Sequence, residues 1–270
     1  MMLKRILYIL LCLFAFVDMN AQTFKEPAFK EGEVAVYNVY YNLGFVWIHA
    51  GDVEFSVKNV KENGVDHFYL QLAGYTIRSF DSFYRIRDTF HVSVTKDSLL
   101  PCNYREVKHE DTYFCDRRYH YDYQNGPKVY CDFNRKGVKS KDTLGIASDV
   151  FDLLTICYRF RSIDMTKVKV GDSFPFKMLY DKETYDLGLT YKGVEDIKLK
   201  NKSKYQALKF MPKLITGDLF KKEDDMVIYV STDDNHVPLY IETKIKVGSV
   251  KVMLQSIKNT KYPFSSKIEK

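Results

Sequence analysis

The chain has 270 residues, a formal net charge of +6, 28% charged residues and 46% hydrophobic residues. This composition is that of a folded globular protein and excludes an intrinsically disordered chain. Basic and acidic residues are mixed along the sequence, as in Lys221-Lys222-Glu223-Asp224-Asp225. The basic stripe that nucleic-acid binding requires is therefore missing, and we expect no nucleic-acid partner.

Residues 1–21 have the parts of a secretory signal peptide. Lys4-Arg5 precedes an uncharged apolar run from Ile6 to Val17, and Ala21 offers a small residue for cleavage. The run is shorter than the about 20 residues of a stable membrane-spanning helix. Cys12 lies inside the run after two leucines, which is a poor lipidation site. We expect cleavage after Ala21 and a periplasmic or secreted protein with no lipid anchor and no transmembrane segment.

Alternation of apolar and polar residues predicts strands over most of residues 22–270. The 21 Tyr and 19 Phe, against a single Trp, favour the same reading because these rings suit half-buried pleated surfaces. The predicted strands cover 34–41, 46–57, 67–77, 83–94, 99–107, 113–123, 128–133, 173–179, 185–191, 194–199, 205–210, 226–231, 237–245 and 250–257. Turns are predicted at 108–111, 124–127 and 232–235, a polar loop at 135–145 and a frayed tail at 265–270.

One segment, 149–161, has helical spacing, with Ser148 as its predicted N-cap and Arg159 and Arg161 in its last turn. The helix separates two sets of strands, about 30–135 and 170–258. We predict a mainly β fold of antiparallel curved sheets, a barrel-like or sandwich architecture. The two sets form one β-rich domain or two packed β subdomains joined by the helix.

Several short motifs resemble a bacterial family, domain of unknown function 3108. They are Gly32-Glu33-Val34-Ala35-Val36-Tyr37, Tyr84-Arg85-Ile86-Arg87-Asp88, Leu100-Pro101, the acid-led helix from Asp149 to Arg161, and Ser231-Thr232-Asp233-Asp234 followed by Val237-Pro238. They occur in the family's order and cover most of residues 30–257. The resemblance implies an exported, β-rich protein and implies no catalytic residue, because no activity is established for the family.

The four cysteines that follow the predicted signal are Cys102, Cys115, Cys131 and Cys157. None forms a C-x-x-C pair, so zinc-ribbon and thioredoxin-type sites are not predicted. An oxidising compartment permits disulfides, and four cysteines allow three full pairings that the sequence does not distinguish. Buried free thiols are the alternative.

The sequence has no catalytic motif. G-x-S-x-G and H-E-x-x-H are missing, and the histidines, at 49, 67, 91, 109, 120 and 236, are scattered, so we read each as structural. Asp233-Asp234-Asn235-His236 lacks the glycine and distal glutamate of a calcium loop and is predicted to be a solvated turn. We assign no catalytic, cofactor-binding or metal-binding residue and expect no cofactor.

Three functions stay open. The first is binding of a lipid, glycan or other envelope component, which the aromatic content favours. The second is a structural protein that docks an envelope partner through an exposed apolar patch. The third is a glycan hydrolase, for which strand carboxylates are the candidates, although surface solvation also explains them: Glu106, Asp116, Asp122 and Asp132.

Overall fold

The computed structural model describes residues 25–214, 226–245 and 247–268, so the predicted signal peptide at 1–21 lies outside the described residues. The described residues form sixteen strands and one helix, α1 (Leu153–Arg161). The first eight strands are β1 (Val34–Leu43), β2 (Val46–Glu62), β3 (Val65–Thr76), β4 (Arg87–Thr95), β5 (Pro101–Glu110), β6 (Tyr113–Asp122), β7 (Lys128–Arg135) and β8 (Val138–Gly145). The others are β9 (Val150–Phe151), β10 (Ser173–Tyr180), β11 (Glu183–Lys198), β12 (Lys204–Leu214), β13 (Met226–Ser231), β14 (Pro238–Lys244), β15 (Ser249–Lys258) and β16 (Lys267–Ile268).

All the strands belong to one sheet, in the order β8-β7-β6-β5-β4-β3-β2-β1-β15-β14-β13-β12-β11-β10-β9, with β16 paired to β12. Neighbours are antiparallel except β9 and β10. The sheet curls until side chains bridge its two ends. Tyr119 of β6 donates a hydrogen bond of 2.9 Å to the carbonyl of Asp181, in the turn between β10 and β11. In the same turn, Lys182 Nζ donates a hydrogen bond of 3.0 Å to Oδ2 of Asp142 on β8. The predicted mainly β, antiparallel and barrel-like fold is confirmed, as a sheet that does not close.

Helix α1 lies inside the curled sheet and is packed on opposite sides. Leu154 and Tyr158 belong to an apolar cluster with β2–β7, whereas Ile156 and Phe160 belong to a second cluster with β10–β13. The cavity between α1 and strands β1, β14 and β15 has a volume of about 80 Å³. The space around α1 is therefore largely filled. No helix among the described residues is long and apolar enough to cross a membrane.

The predicted helix starts too early. Val150–Phe151 pairs in parallel with β10 as β9, because two strand-forming residues meet an open sheet edge there. The N-cap is Asp152, not Ser148, and its carboxylate accepts a hydrogen bond of 2.9 Å from the backbone N–H of Thr155. Asp152 satisfies a donor of the first helical turn, which fixes the start of α1.

Three other boundaries differ from the prediction. The predicted polar loop at 135–145 is the edge strand β8, whose residues are mostly exposed on both faces, so no alternation marks it. Residues 185–191 and 194–199 form one strand, β11, with a register shift between Tyr191 and Gly193. The strand predicted from residue 83 begins at 87. The turn at 124–127 is confirmed, with positive φ angles at Asn125 and Gly126.

Candidate functional site

A trough of about 740 Å³ crosses the outer face of strands β3 to β8. Along β6, Tyr119 and Tyr121 enter the core, and the alternate residues Arg118 and His120 face the trough. The period of two therefore brings polar and aromatic side chains of six strands together on one face. The side chains that line the trough include those of Tyr69, His91, Asn103, Arg105, Arg118, His120, Tyr130 and Asp132.

Two pairs of stacked rings lie in the trough. The ring centroids of Tyr69 and His91 are 5.6 Å apart with an angle of 23° between the planes, and those of His120 and Tyr130 are 6.1 Å apart at 26°. The amide of Asn103 joins one pair to the sheet, because its Oδ1 accepts a hydrogen bond of 2.8 Å from His120 Nδ1. Tyr130 is 43% exposed, so part of its ring is open to solvent.

The charged side chains in and beside the trough are arranged in a ladder across the strands. Arg105 lies opposite Arg118, and Arg118 lies opposite Asp132. Both arginines bind the carboxylate of Asp116, with distances of 3.0 Å and 2.9 Å to Oδ2. Burial favours a higher pKa for Asp116, but the two arginines outweigh it and lower the pKa. Asp116 is therefore ionised at neutral pH and does not donate a proton.

The pKa of His91 is lowered, first by burial and then by the nearby positive charges of Arg105 and Lys58. The imidazole is consequently neutral at pH 7. A hydrolase of glycosidic bonds needs one carboxyl group whose pKa is raised. Lys182 holds the pKa of the trough carboxylate Asp142 below its ordinary value, and the pKa of Asp116, beside the trough, is lowered as well. The trough presents ring faces and hydrogen-bond donors to a ligand.

The other candidate carboxylates of the sequence are separated by the fold. Glu106 was expected to be solvated, but it is 1% exposed and forms a hydrogen bond of 2.6 Å with Arg117. The residue is on the inner face of β5, beside the core, where a carboxylate needs a partner. Asp132 lines the trough, and Asp116 lies beside it, bound by Arg105 and Arg118. Asp122 caps the turn after β6 by accepting from the backbone N–H of Gln124.

The turn between β13 and β14 is at the predicted position, but the prediction that it is solvated is wrong. Asn235 is fully buried, and Asp233 is 9% exposed. Asp233 accepts hydrogen bonds from Ser231, Asn235 and the tail residue Ser266, which contributes its backbone N–H at 3.1 Å and its hydroxyl at 2.7 Å. The carboxylate is saturated by donors from protein and ties the tail to the sheet, where it forms β16. The tail is therefore ordered through residue 268, not frayed.

The four cysteines are free thiols, and their side chains range from half-buried to buried. Burial raises the pKa of Cys131 to about 11 and that of Cys157 to about 12. The histidines are dispersed over several strands. His91 and His120 are in the trough, His49 binds Asp52 at 2.8 Å, and His236 donates to the carbonyl of Arg161. The sequence did not single out the trough, because its residues come from six strands and share no motif.

A family model described as "Protein of unknown function (DUF3108)" matches residues 36–255. The chain belongs to the DUF3108 family. This confirms the resemblance found in the sequence, and the match spans β1 to β15. A comparison with curated proteins finds no match for this DUF3108 protein.

Among solved structures, the chain is similar to the crystal structure of a β-barrel-like protein of the domain of unknown function DUF1849 from Brucella abortus. The two share 9% sequence identity with a TM-score of 0.54, over 88% of this chain and 99% of that chain. At this identity the likeness concerns the fold alone. The curled, barrel-like sheet is therefore an architecture that this DUF3108 protein shares with a solved structure.

Proposed function

We propose that this protein is exported to the cell envelope and binds a glycan in the trough on strands β3 to β8. The observation that carries the proposal is the pair of ring stacks, Tyr69–His91 and His120–Tyr130, in one concavity of about 740 Å³. Ligand sites combine apolar ring surface with a few polar groups that orient the ligand. A sugar ring has both an apolar face for the aromatic rings and hydroxyl groups for the amide and guanidinium groups between them.

The interior of the sheet supports this choice over a lipid. Its cavity of about 80 Å³ beside α1 is small compared with the roughly 300–1,000 Å³ of ordinary ligand sites. The volume of the outer trough falls within that range. Its lining also has hydrogen-bonding groups along its length, which an acyl chain would leave unsatisfied.

Binding to oligosaccharides tests the trough directly. We expect Tyr130→Ala to weaken binding of a neutral probe, chitotetraose, or an acidic probe, tetragalacturonate, at least tenfold in calorimetry. Tyr75→Ala is the matched control, because Tyr75 is 45% exposed on β3 but lies outside the trough. Equal affinity of the two variants, or no heat with either probe, contradicts glycan binding at this surface.

Export rests on the sequence pattern of residues 1–21 and has its own test. The protein recovered from the periplasmic fraction should have the mass of a chain that begins at Gln22. A full-length mass in the cytoplasmic fraction would contradict export and would leave the glycan test unaffected.

A second function, docking on an anionic bilayer surface, is favoured by an exposed apolar tip. We define this tip as the β1–β2 and β14–β15 turns with the residues Leu43, Phe45, Val46, Ile48, Ile245 and Val247, of which Phe45 is wholly exposed. Tyr41 donates to the carbonyl of Val247 at 3.0 Å, which holds the turns side by side. The exposed Lys200 has its Nζ 5.5 Å from the ring centroid of Trp47, so positive charge borders the tip.

Vesicle co-sedimentation tests this second function. We expect binding to vesicles that contain phosphatidylglycerol, weaker binding to pure phosphatidylcholine, and loss of binding in Phe45→Ser. Val65→Ser is a suitable control, since Val65 is 60% exposed at the start of β3, away from the tip. Binding that does not depend on Phe45 counts against the bilayer.

A further inference from the structure

Three residues with metal-binding side chains, from β2, β3 and β5, converge across the neighbouring strands β2 to β5. One ligand atom each from Glu62, His67 and Cys102 lies within 4.8 Å of the other two. Around a tetrahedral zinc ion, bonds of about 2.0–2.3 Å separate the ligand atoms by roughly 3.3–3.6 Å. Rotamer adjustments of the order of 1 Å therefore bring the three groups to coordination distance. From this convergence we propose that Glu62, His67 and Cys102 form a site for a divalent transition metal, with zinc as the fitting ion.

Local backbone structure explains how these residues meet. Asn63 and Gly64 have positive φ angles and form the tight turn between β2 and β3. In the resulting pairing Glu62 lies opposite Val65, so the side chain of His67 is its diagonal neighbour on the same face. Ser93 pairs with Asn103 and Val94 with Pro101, which leaves Cys102 as the extra residue of a bulge. A bulge re-aims a side chain, and here it allows Cys102 to join the other two.

The surroundings of the ligands are those of a metal site. The ring of His67 is buried, and its Nδ1 donates a hydrogen bond of 2.9 Å to the carbonyl of Val65, which leaves the lone pair on Nε2. Metal-binding histidines characteristically donate their other nitrogen in this way. Glu62 Oε2 accepts a hydrogen bond of 2.9 Å from the amide of Asn103, and Oε1 has the lone pairs for a metal. Cys102 is a free, half-buried thiol and is available as a ligand.

The set of donors selects the class of metal. One sulfur, one imidazole nitrogen and one carboxylate oxygen suit zinc and disfavour magnesium and calcium, which prefer oxygen ligands alone. Three protein ligands leave the fourth tetrahedral position for a water molecule. Binding converts the Cys102 thiol to a thiolate and releases one proton to the solvent, so that charge balances as the zinc–sulfur bond forms.

Cobalt substitution tests the site on the full chain, reduced and freed of metal by a chelator. We expect one Co²⁺ per chain, with the near-ultraviolet band of a cobalt–thiolate bond, and displacement of Co²⁺ by one equivalent of Zn²⁺. Cys102→Ser should lose the band, and Glu62→Gln should weaken binding at least about tenfold. Cys157→Ser is the control and should bind as the wild type does, because it also removes one half-buried thiol.

The absence of a thiolate band in the wild type, or its persistence in Cys102→Ser, overturns the proposal. If Cys102→Ser does not fold, X-ray absorption of the zinc-loaded wild type decides. One sulfur in the coordination shell supports the site, and a shell of nitrogen and oxygen alone refutes it.

Discussion

Arg161 donates hydrogen bonds of 2.6 Å and 3.0 Å to the two carboxylate oxygens of Glu33, a residue 128 positions earlier in the chain. Both side chains are buried. Arg161 Nε also donates to the carbonyl of Asn235 at 3.0 Å, and its own carbonyl accepts from His236. Burial favours a lower pKa for Arg161, but Glu33 more than offsets it and the pKa is raised. This pair thus connects the start of β1, the end of α1 and the β13–β14 turn.

Arg161→Met should lower the free energy of unfolding by about 3–5 kcal/mol, because it leaves the Glu33 carboxylate buried without its partner. The double variant Glu33→Leu/Arg161→Met should lose less than Arg161→Met, since no charge is left uncompensated. Urea unfolding followed by circular dichroism measures both. A double variant less stable than Arg161→Met would contradict this expectation, because the main cost would then not be the unpaired charge of Glu33.

The N-cap Asp152 makes stability depend on pH. Burial raises its pKa from 3.8 to about 6, although the hydrogen bonds from Thr155 act in the opposite direction. The unfolded chain therefore releases this proton at a lower pH than the folded one. Stability is lost as pH rises from about 4 through about 6, by an amount of the order of 3 kcal/mol.

Asp152→Asn should remove this dependence, because asparagine is an equally good N-cap and carries no charge. The free energy of unfolding of the wild type should fall between pH 4.5 and pH 7.5, whereas that of Asp152→Asn should lack the part of this fall that is due to Asp152. Urea unfolding at the two pH values measures the difference. Asp152→Ala is the control for the cap itself and should lose about 0.5–2 kcal/mol. Parallel pH profiles of wild type and Asp152→Asn would contradict the raised pKa.

The tail is expected to stabilise the sheet through Asp233. A chain that ends at Phe264 leaves this buried carboxylate without the donors of Ser265 and Ser266, whereas a chain that ends at Ile268 keeps them. We expect the first truncation to cost at least about 2 kcal/mol, since hydrogen bonds to a charged group are strong and the group stays buried. The second should unfold as the full chain does. Thermal unfolding of the two truncations measures the difference, and equal stability of both would mean that the tail does not stabilise the sheet.

The strands were predictable wherever one face is buried, and the exceptions have physical causes. Along β6, for example, buried Tyr119 and Tyr121 alternate with exposed Arg118 and His120. This alternation is the pattern from which the strand was predicted. Strand β8 escaped prediction because both of its faces are exposed. Helical spacing predicted a start of α1 that is too early, because Val150–Phe151 pairs with the edge strand β10 instead.

The sites were beyond sequence reasoning for a different reason. Arg118 reaches Asp116 within one strand, but His91, Arg105 and Arg118 are brought together only by the pairing of three strands. The metal ligands Glu62, His67 and Cys102 have the same property. The turn residues Asn63-Gly64 would have placed Glu62 beside His67. The bulge that adds Cys102 has no marker in the sequence.

Gly51 and Gly74, on the adjacent strands β2 and β3, give a final test of the packing. A Cβ at Gly51 would lie 2.3 Å from the carbonyl oxygen of Tyr75, whereas a Cβ at Gly74 would meet Val53 Cγ2 at an ordinary 3.7 Å. Backbone cannot retreat as a flexible side chain can, so Gly51→Ala should lose about 1–3 kcal/mol of stability. Gly74→Ala should lose none and gain up to about 1 kcal/mol, because alanine restricts the unfolded chain. Urea unfolding of the two variants measures this contrast, and equal effects would mean that β2 and β3 do not approach each other this closely in solution.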